Sequence, residues 1–285
     1  MKKWIKELRI SHYLKNCLIF LPAFFGGALD AGEIWRNLFA GFLCFCLGSS
    51  SVYLMNDIKD VEKDRAHPKK CKRPIASGEI GIGQAWMVAG VLLVLCIVLS
   101  ILIDTEVRLL AMTVFALYLF VNVLYSLVGL KKIPLFDVAL LVSGFVLRVL
   151  MGSMLTGNAI SEWLYLVVIS GAFYLAFGKR RNELKVVGNG GRDVLSGYTE
   201  QFLDKAMYTC MTMANVFFAL WCIQFGKGHK YIILVPILML ICFKYSMNVE
   251  QDENDGDPMS VILQDKVLIC LGVVFLLLII GLLYW

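Results

Sequence analysis

The sequence predicts an all-α, polytopic membrane protein with about nine transmembrane helices. Of its 285 residues, 59% are hydrophobic and 17% are charged, and the mean hydropathy is +0.74. These values exclude a soluble domain of this length. Several apolar runs reach the roughly 20 residues that cross a bilayer. The predicted spans are residues 16–31, 36–55, 82–103, 107–127, 134–155, 162–178, 206–226, 230–247 and 266–285.

The distribution of lysine and arginine predicts the orientation of these spans. With a cytoplasmic N-terminus, residues 1–15, 56–81, 128–133, 179–205 and 245–265 face the cytosol. That side then carries 22 of the 27 basic residues, while Arg36, Arg108, Lys227 and Lys230 lie opposite and Arg148 lies within a span. The positive-inside rule favours this arrangement in a cell membrane. We expect one integral-membrane domain over residues 1–285, with both long polar loops, 56–81 and 179–205, in the cytosol.

The segment that precedes the first predicted span is amphipathic. Within residues 1–15, Trp4 and Leu8 alternate with Lys3 and Lys6. Such a pattern is typical of a short helix that lies on an anionic membrane surface. We therefore expect an interfacial helix here.

The first polar loop opens with an acidic motif, residues 56–64. Asp57, Asp60 and Asp64 have the spacing i, i+3 and i+7, which shares one helix face. Three carboxylates on one face repel one another unless a cation lies between them, and oxygen ligands suit Mg²⁺. The alternative is a solvated acidic helix end. Basic residues follow directly: Arg65, Lys69, Lys70, Lys72 and Arg73. Metal and cations together predict diphosphate chemistry at the membrane surface.

The second polar loop, residues 179–205, begins with Lys179, Arg180 and Glu183. This cluster is either an ordinary positive-inside flank or a second phosphate-binding wall that faces the acidic motif. Arg148 is costly at membrane depth, and it is either a structural arginine or a substrate contact. Asp137 lies eleven residues before it, roughly 16 Å away at the helical rise, so these two residues should not pair.

The motifs resemble those of the UbiA-type superfamily of intramembrane prenyltransferases. The resemblance rests on Asn56-Asp57-x-x-Asp60-x-x-x-Asp64, on Arg73-Pro74-Ile75-Ala76-Ser77-Gly78, and on Tyr125-Ser126 through Lys131. It covers essentially the whole chain and implies helices around a cytoplasm-facing cavity. Superfamily members that use a prenyl diphosphate carry a second aspartate-rich motif, where this sequence has Lys179-Arg180-Arg181-Asn182-Glu183.

With this single acid at the second position, the sequence resembles the decaprenyl-phosphate phosphoribosyltransferase branch. Three further motifs resemble that branch: Tyr13-Leu14-Lys15-Asn16, Asp64-Arg65-x-His67-Pro68 and Tyr198-Thr199-Glu200. The resemblance implies Mg²⁺-dependent transfer of 5-phosphoribose from phosphoribosyl diphosphate to a polyprenyl phosphate in the membrane, with release of diphosphate and with no nucleic-acid partner. The alternatives are transfer of a prenyl group from a prenyl diphosphate to an aromatic or lipid acceptor, and a non-enzymatic transporter.

The expected site residues follow from the motifs and the resemblance together. The expected metal ligands and catalytic residues are Asp57, Asp60 and Asp64, with Lys179 as a further catalytic residue. The expected substrate contacts are Lys15, Asn56, Arg65, Lys69, Arg73, Arg148, Arg180, Glu183 and Tyr198. The anionic phosphate of the acceptor needs no general base.

Overall fold

The structure, a computed structural model, is helical and describes residues 2–26, 32–66, 70–187, 193–225, 230–250 and 258–284. The α-helices are α1 Lys2–Glu7, α2 Leu21–Phe25, α3 Gly32–Lys59, α4 Val61–Ala66, α5 Ile82–Ser100, α6 Thr105–Val123, α7 Phe136–Thr156, α8 Glu162–Val187, α9 Glu200–Phe225, α10 Leu234–Glu250, α11 Pro258–Gln264 and α12 Lys266–Tyr284. Short 3-10 segments cover Ile10–Phe20, Lys70–Lys72, Leu130–Lys132, Asp193–Gly197 and Lys230–Ile233, and a π-helical turn covers Leu124–Val128.

Seven helices in the described part of the chain are long and apolar enough to cross a membrane. They are Ile34–Lys59, Ile82–Ser100, Thr105–Ser126, Phe136–Thr156, Glu200–Phe225, Lys230–Glu250 and Lys266–Leu283. The expected count of nine is therefore not confirmed. The described part of the predicted span 16–31 is a 3-10 segment followed by α2, which begins at Leu21-Pro22, because proline starts a helix and cannot continue one. The predicted span 162–178 lies in α8, whose end is charged.

The chain divides into two compact units. The first unit contains Met1–Leu127 and Leu147–Ala159, and its core joins α3, α5, α6 and the second half of α7. Phe45, Phe115 and Met151 are among its buried side chains. A Cβ at Gly152 would lie 2.0 Å from the carbonyl oxygen of Ile19, so glycine is required where α7 contacts the Ile10–Phe20 segment.

A smaller cluster of the first unit lies beneath the acidic motif. Leu54, Ile58, Ile75 and Ile80 are buried in it, and Trp4 packs against it. The amphipathic α1 therefore places apolar side chains on the protein itself. Two lysines of α1 fasten it further: Lys3 Nζ donates to Glu79 O at 2.8 Å and Lys6 Nζ donates to Lys72 O at 2.8 Å.

The second unit contains Val128–Val146 and Ile160–Trp285. Helix α8 packs along α9, and α10 packs along α12, around buried residues such as Tyr174, Met207 and Tyr245. On α12, Val267 and Leu277 are 56% and 64% exposed. Large apolar side chains at such exposure mark a surface that water does not cover, which fits a helix in lipid.

Candidate functional site

The acidic motif spans a break between two helices. Helix α3 ends at Lys59, Asp60 lies in a turn, and α4 begins at Val61. Helical hydrogen bonding nevertheless continues through the turn, since Asp60 N donates to Asn56 O at 2.9 Å and Asp64 N donates to Asp60 O at 2.8 Å. The continuous path keeps Asp57 and Asp64 in the i, i+7 relation that the sequence predicted, and Asp60 lies half-buried between them.

Arg73 bridges the two buried aspartates of this motif. Its Nη1 donates to Asp57 Oδ1 at 2.8 Å and to Asp64 Oδ2 at 2.7 Å. Asp57 and Asp64 are only 5% and 4% exposed. Hydrogen bonds between charged partners at such distances are strong, and buried carboxylates require them. Arg73, which the sequence predicted as a phosphate contact, thus lies on the predicted metal ligands.

The geometry of these carboxylates fits a cation. In the described residues no three His, Cys, Asp or Glu side chains lie close enough to hold a metal ion. Asp57 and Asp64 nevertheless converge on one positively charged nitrogen of Arg73. A guanidinium that bridges two carboxylates stands in for a cation, and oxygen donors of this kind suit Mg²⁺.

The N-terminal segment contributes two charged side chains that the sequence analysis missed. Arg9 Nη2 donates to both carboxylate oxygens of Asp57 at 2.8 Å, and its guanidinium lies 4.5 Å from the ring centre of Tyr53. Arg9 adopts φ 51° and ψ 49°, a left-handed conformation that costs a non-glycine residue on the order of 1–2 kcal/mol. Its contacts with Asp57 and Tyr53 hold it there.

Glu7 is the second of these side chains. It is 2% exposed, and its Oε1 has no hydrogen-bond partner. Burial and the neighbouring charge of Asp57 raise the pKa of Glu7 to about 7. Neither Glu7 nor Arg9 has a spacing that links it to the acidic motif, so the pattern of the segment indicated only an interfacial helix.

The remaining predicted substrate contacts in the first part of the chain differ in their surroundings. Arg65 is exposed; its Nε donates to Ala76 O at 3.2 Å and its Nη1 donates to Glu62 Oε1 at 2.8 Å, so it ties the end of α4 to the following loop. Lys15 and Asn56 are half-buried. Lys69 lies outside the described residues, as does His67.

Arg148 is surrounded by polar and aromatic partners within the first unit. Its Nε donates to Asn16 Oδ1 at 2.7 Å, and its guanidinium lies 5.5 Å and 5.0 Å from the ring centres of Phe45 and Tyr118. Arg148 is 6% exposed. These contacts fasten α7 to neighbouring elements and favour the structural alternative for this arginine over a substrate contact.

The second unit holds a buried polar network at the end of α8. Arg180 and Asp137 are both 0% exposed. Arg180 Nε donates to Asp137 Oδ2 at 2.5 Å, and Arg180 Nη1 donates to Glu183 Oε2 at 2.5 Å. Tyr198 Oη donates to Asp137 Oδ1 at 2.6 Å and accepts a hydrogen bond from Leu135 N at 2.6 Å. Burial and the contact with Asp137 raise the pKa of Tyr198, so its hydroxyl stays a donor.

This network changes the interpretation of three predicted contacts. In this arrangement Arg180 donates to both Asp137 and Glu183, and Tyr198 donates to Asp137. These contacts suit them to fix the backbone beside Lys179, which is half-buried. The predicted loop 179–205 also begins inside α8, which runs to Val187. Asp137 and Arg148 have different partners, as expected.

Comparison with known proteins identifies the fold family. The sequence matches the model of the UbiA prenyltransferase family over residues 19–264. It is 35% identical over 276 residues to the decaprenyl-phosphate phosphoribosyltransferase of Corynebacterium glutamicum, covering 93% of this chain and 81% of that one. It is 30% identical over 283 residues to the protein of the same name from Mycolicibacterium smegmatis, covering 93% and 87%.

A solved structure shares the fold. It is a UbiA homologue from Archaeoglobus fulgidus bound to GPP and Mg²⁺, with a TM-score of 0.73 at 19% identity, covering 97% of this chain and 96% of that one. The family match includes the acidic motif and the end of α8, so the resemblance inferred from those residues is confirmed. The chain belongs to the UbiA prenyltransferase family.

Proposed function

We propose that this protein transfers 5-phosphoribose from phosphoribosyl diphosphate to a polyprenyl phosphate, with Mg²⁺ as cofactor and diphosphate as leaving group. The observation that carries the proposal is the pair of buried aspartates, Asp57 and Asp64, gathered on a positive charge beside further cations. The names of the relatives from Corynebacterium glutamicum and Mycolicibacterium smegmatis support the choice of donor and acceptor.

Asp57 and Asp64, with Asp60 between them, are the proposed metal ligands. They would hold Mg²⁺, whose chemistry there would be to neutralise the negative charge that develops on the leaving diphosphate. Arg9 and Arg73 already lie on these carboxylates, and their guanidinium groups are shaped to bind phosphate oxygens through paired hydrogen bonds. We assign both arginines to the diphosphate of the donor. Asn56 orients the motif.

The second phosphate of the donor sets its charge requirement. Phosphoribosyl diphosphate carries a 5-phosphate besides its diphosphate, so it needs more cationic groups than a prenyl diphosphate does. We assign Lys179 to the negative charge of this additional phosphate, with Arg180, Glu183 and Tyr198 as the residues that position Lys179. The further candidate cations are Lys15, Arg65 and Lys69, while Arg148 is assigned a structural role.

We place this chemistry at the inner face of the cell membrane, with the N-terminus cytoplasmic. The charge distribution supports that orientation. A sugar phosphate reaches the protein from the cytosol, whereas a polyprenyl tail stays in the lipid. A site at the inner face serves both substrates. The nucleophile is an anionic phosphate oxygen, so the transfer requires no general base from the protein.

A conventional prenyl transfer is the second candidate. The family as a whole carries the prenyltransferase name, and the Archaeoglobus fulgidus homologue binds GPP. Against it, the position expected for a second aspartate-rich motif has Lys179, Arg180 and one acid, Glu183. Two cationic side chains at this position favour phosphoribosyl diphosphate, the donor with more phosphate groups.

A donor screen tests the proposal. The full chain, purified in detergent, is given phosphoribosyl diphosphate or a prenyl diphosphate, each with a polyprenyl phosphate or an aromatic acceptor and Mg²⁺. We expect product only from phosphoribosyl diphosphate and polyprenyl phosphate. Consumption of a prenyl diphosphate, with phosphoribosyl diphosphate ignored, would establish the conventional prenyltransferase instead.

Lys179→Ala refines the screen, because a charged hydrogen bond to phosphate contributes roughly 1.5–3 kcal/mol. At 1.4 kcal/mol per decade, kcat/KM for phosphoribosyl diphosphate should fall about 10- to 100-fold. Lys185→Ala is the matched control, since Lys185 is exposed near the end of the same helix and donates to Glu250 O. Equal losses in both variants would remove Lys179 from the site.

A further inference from the structure

Glu7 is a buried acid whose side chain is hydrogen-bonded to Asp57 through one oxygen only. It is 2% exposed and its Oε1 lacks a hydrogen-bond partner. An uncompensated polar atom in the interior is costly, and a carboxylate is more costly still. A glutamine or an apolar side chain would be cheaper at this position, so the fold alone does not account for an acid.

The surroundings of Glu7 are those of the metal site. Asp57 is close enough to act electrostatically on it, and Arg9, two residues along the chain, binds that same Asp57. Glu7, Asp57 and Asp64 supply three buried carboxylates, whereas Arg9 and Arg73 supply two guanidinium groups. The two guanidinium groups balance Asp57 and Asp64, so an ionised Glu7 would add one unbalanced negative charge.

A divalent cation at the position of Arg73 would correct this imbalance. Mg²⁺ typically takes one or two protein carboxylates and keeps several water molecules, which in turn donate hydrogen bonds to nearby acceptors. Oε1 of Glu7 is a buried acceptor without a partner, on a side chain that contacts Asp57. Carboxylates that hydrogen-bond to the ligands of a metal ion strongly affect its affinity.

We propose that Glu7 is a third buried carboxylate beside the metal site, with Oε1 as the acceptor for a water ligand of the cation. The proposal rests on the metal site assigned above and extends it to α1. The N-terminal helix thereby becomes part of the site: Lys3 and Lys6 fasten it to the loop that follows the acidic motif, and this attachment places Glu7.

Metal binding tests this proposal without reference to turnover. Mn²⁺ binding to the full chain in detergent is measured by electron paramagnetic resonance, with and without inorganic diphosphate, for the wild type and for Glu7→Gln. We expect the variant to bind Mn²⁺ about 10- to 100-fold more weakly, the usual effect of losing a supporting carboxylate. Glu79→Gln removes a charge from an exposed residue of the same surface and should bind Mn²⁺ as the wild type does.

Thermal unfolding separates this role from a purely structural one. Because glutamine is neutral, metal-free Glu7→Gln should melt at or above the wild-type temperature, and only the stabilisation by Mn²⁺ should shrink. Unchanged Mn²⁺ affinity in Glu7→Gln overturns the inference but leaves the proposed function intact. The inference is also overturned if metal-free Glu7→Gln melts below the wild type and Mn²⁺ stabilises the two proteins to the same extent. A wild-type protein that binds no Mn²⁺, alone or with diphosphate, overturns both proposals.

Discussion

Arg73→Met removes the guanidinium that joins Asp57 to Asp64. The wild-type side chain makes two charged hydrogen bonds at 2.8 Å and 2.7 Å, each of which contributes roughly 1.5–3 kcal/mol when well shielded. Arg73 is 30% exposed, so solvent weakens both, and we expect a total loss of about 2–4 kcal/mol. At about 2–4 °C per kcal/mol, the metal-free variant should melt about 4–16 °C lower.

The same substitution should strengthen metal binding. If Asp57 and Asp64 are the metal ligands as proposed, a cation must displace the guanidinium from them in the wild type, whereas in Arg73→Met both carboxylates are available. Mn²⁺ should therefore raise the melting temperature of the variant more than that of the wild type, and a tenfold tighter site would add about 1.4 kcal/mol. Turnover with phosphoribosyl diphosphate should nevertheless fall about 10- to 100-fold, because the proposed contact of Arg73 with the donor phosphate is lost.

The assay is thermal unfolding in detergent across a Mn²⁺ titration, with Lys72→Met as the control. Lys72 is the exposed neighbour of Arg73 in the chain, so this control removes one positive charge without breaking the bridge. The reasoning is refuted if metal-free Arg73→Met melts with the wild type, or if Mn²⁺ stabilises the two proteins equally.

Three further outcomes are expected. Asp60→Asn should cut turnover at least about 10²-fold, the scale for losing a charge-stabilising group; near-normal turnover at saturating Mg²⁺ would remove Asp60 from the metal site. Cysteines at the exposed positions Ser77 and Ser196 should react with an impermeant reagent only from the cytosol, in a background without accessible native cysteines, and labelling from outside would reverse the orientation. Asp137→Ala should destabilise the fold by about 3–5 kcal/mol in thermal unfolding, because it leaves a fully buried arginine without its main carboxylate. Tyr198→Phe, which loses one hydrogen bond to Asp137, should cost only about 1–2 kcal/mol; equal losses would contradict the assigned network.

Local sequence patterns determined much of the fold. Within the residues that the structure describes, hydropathy identified each helix that is long and apolar enough to span a membrane, because insertion depends on the composition of each segment by itself. The exceptions have local causes that hydropathy does not measure. Pro22 begins a separate helix within the first predicted span, and the charged end of α8 continues the helix where a loop was expected.

The sequence by itself also determined where the acidic motif lies and how its aspartates are spaced, since i, i+7 neighbours are set by helix geometry. Only the tertiary structure decided which residues accompany them. Arg9 is 48 positions from Asp57, Arg148 is 132 from Asn16, and Arg180 is 43 from Asp137. Hydrophobicity drives burial without direction, whereas a buried charge requires a particular partner at hydrogen-bonding distance. Helix packing supplies that partner, and no local pattern encodes it.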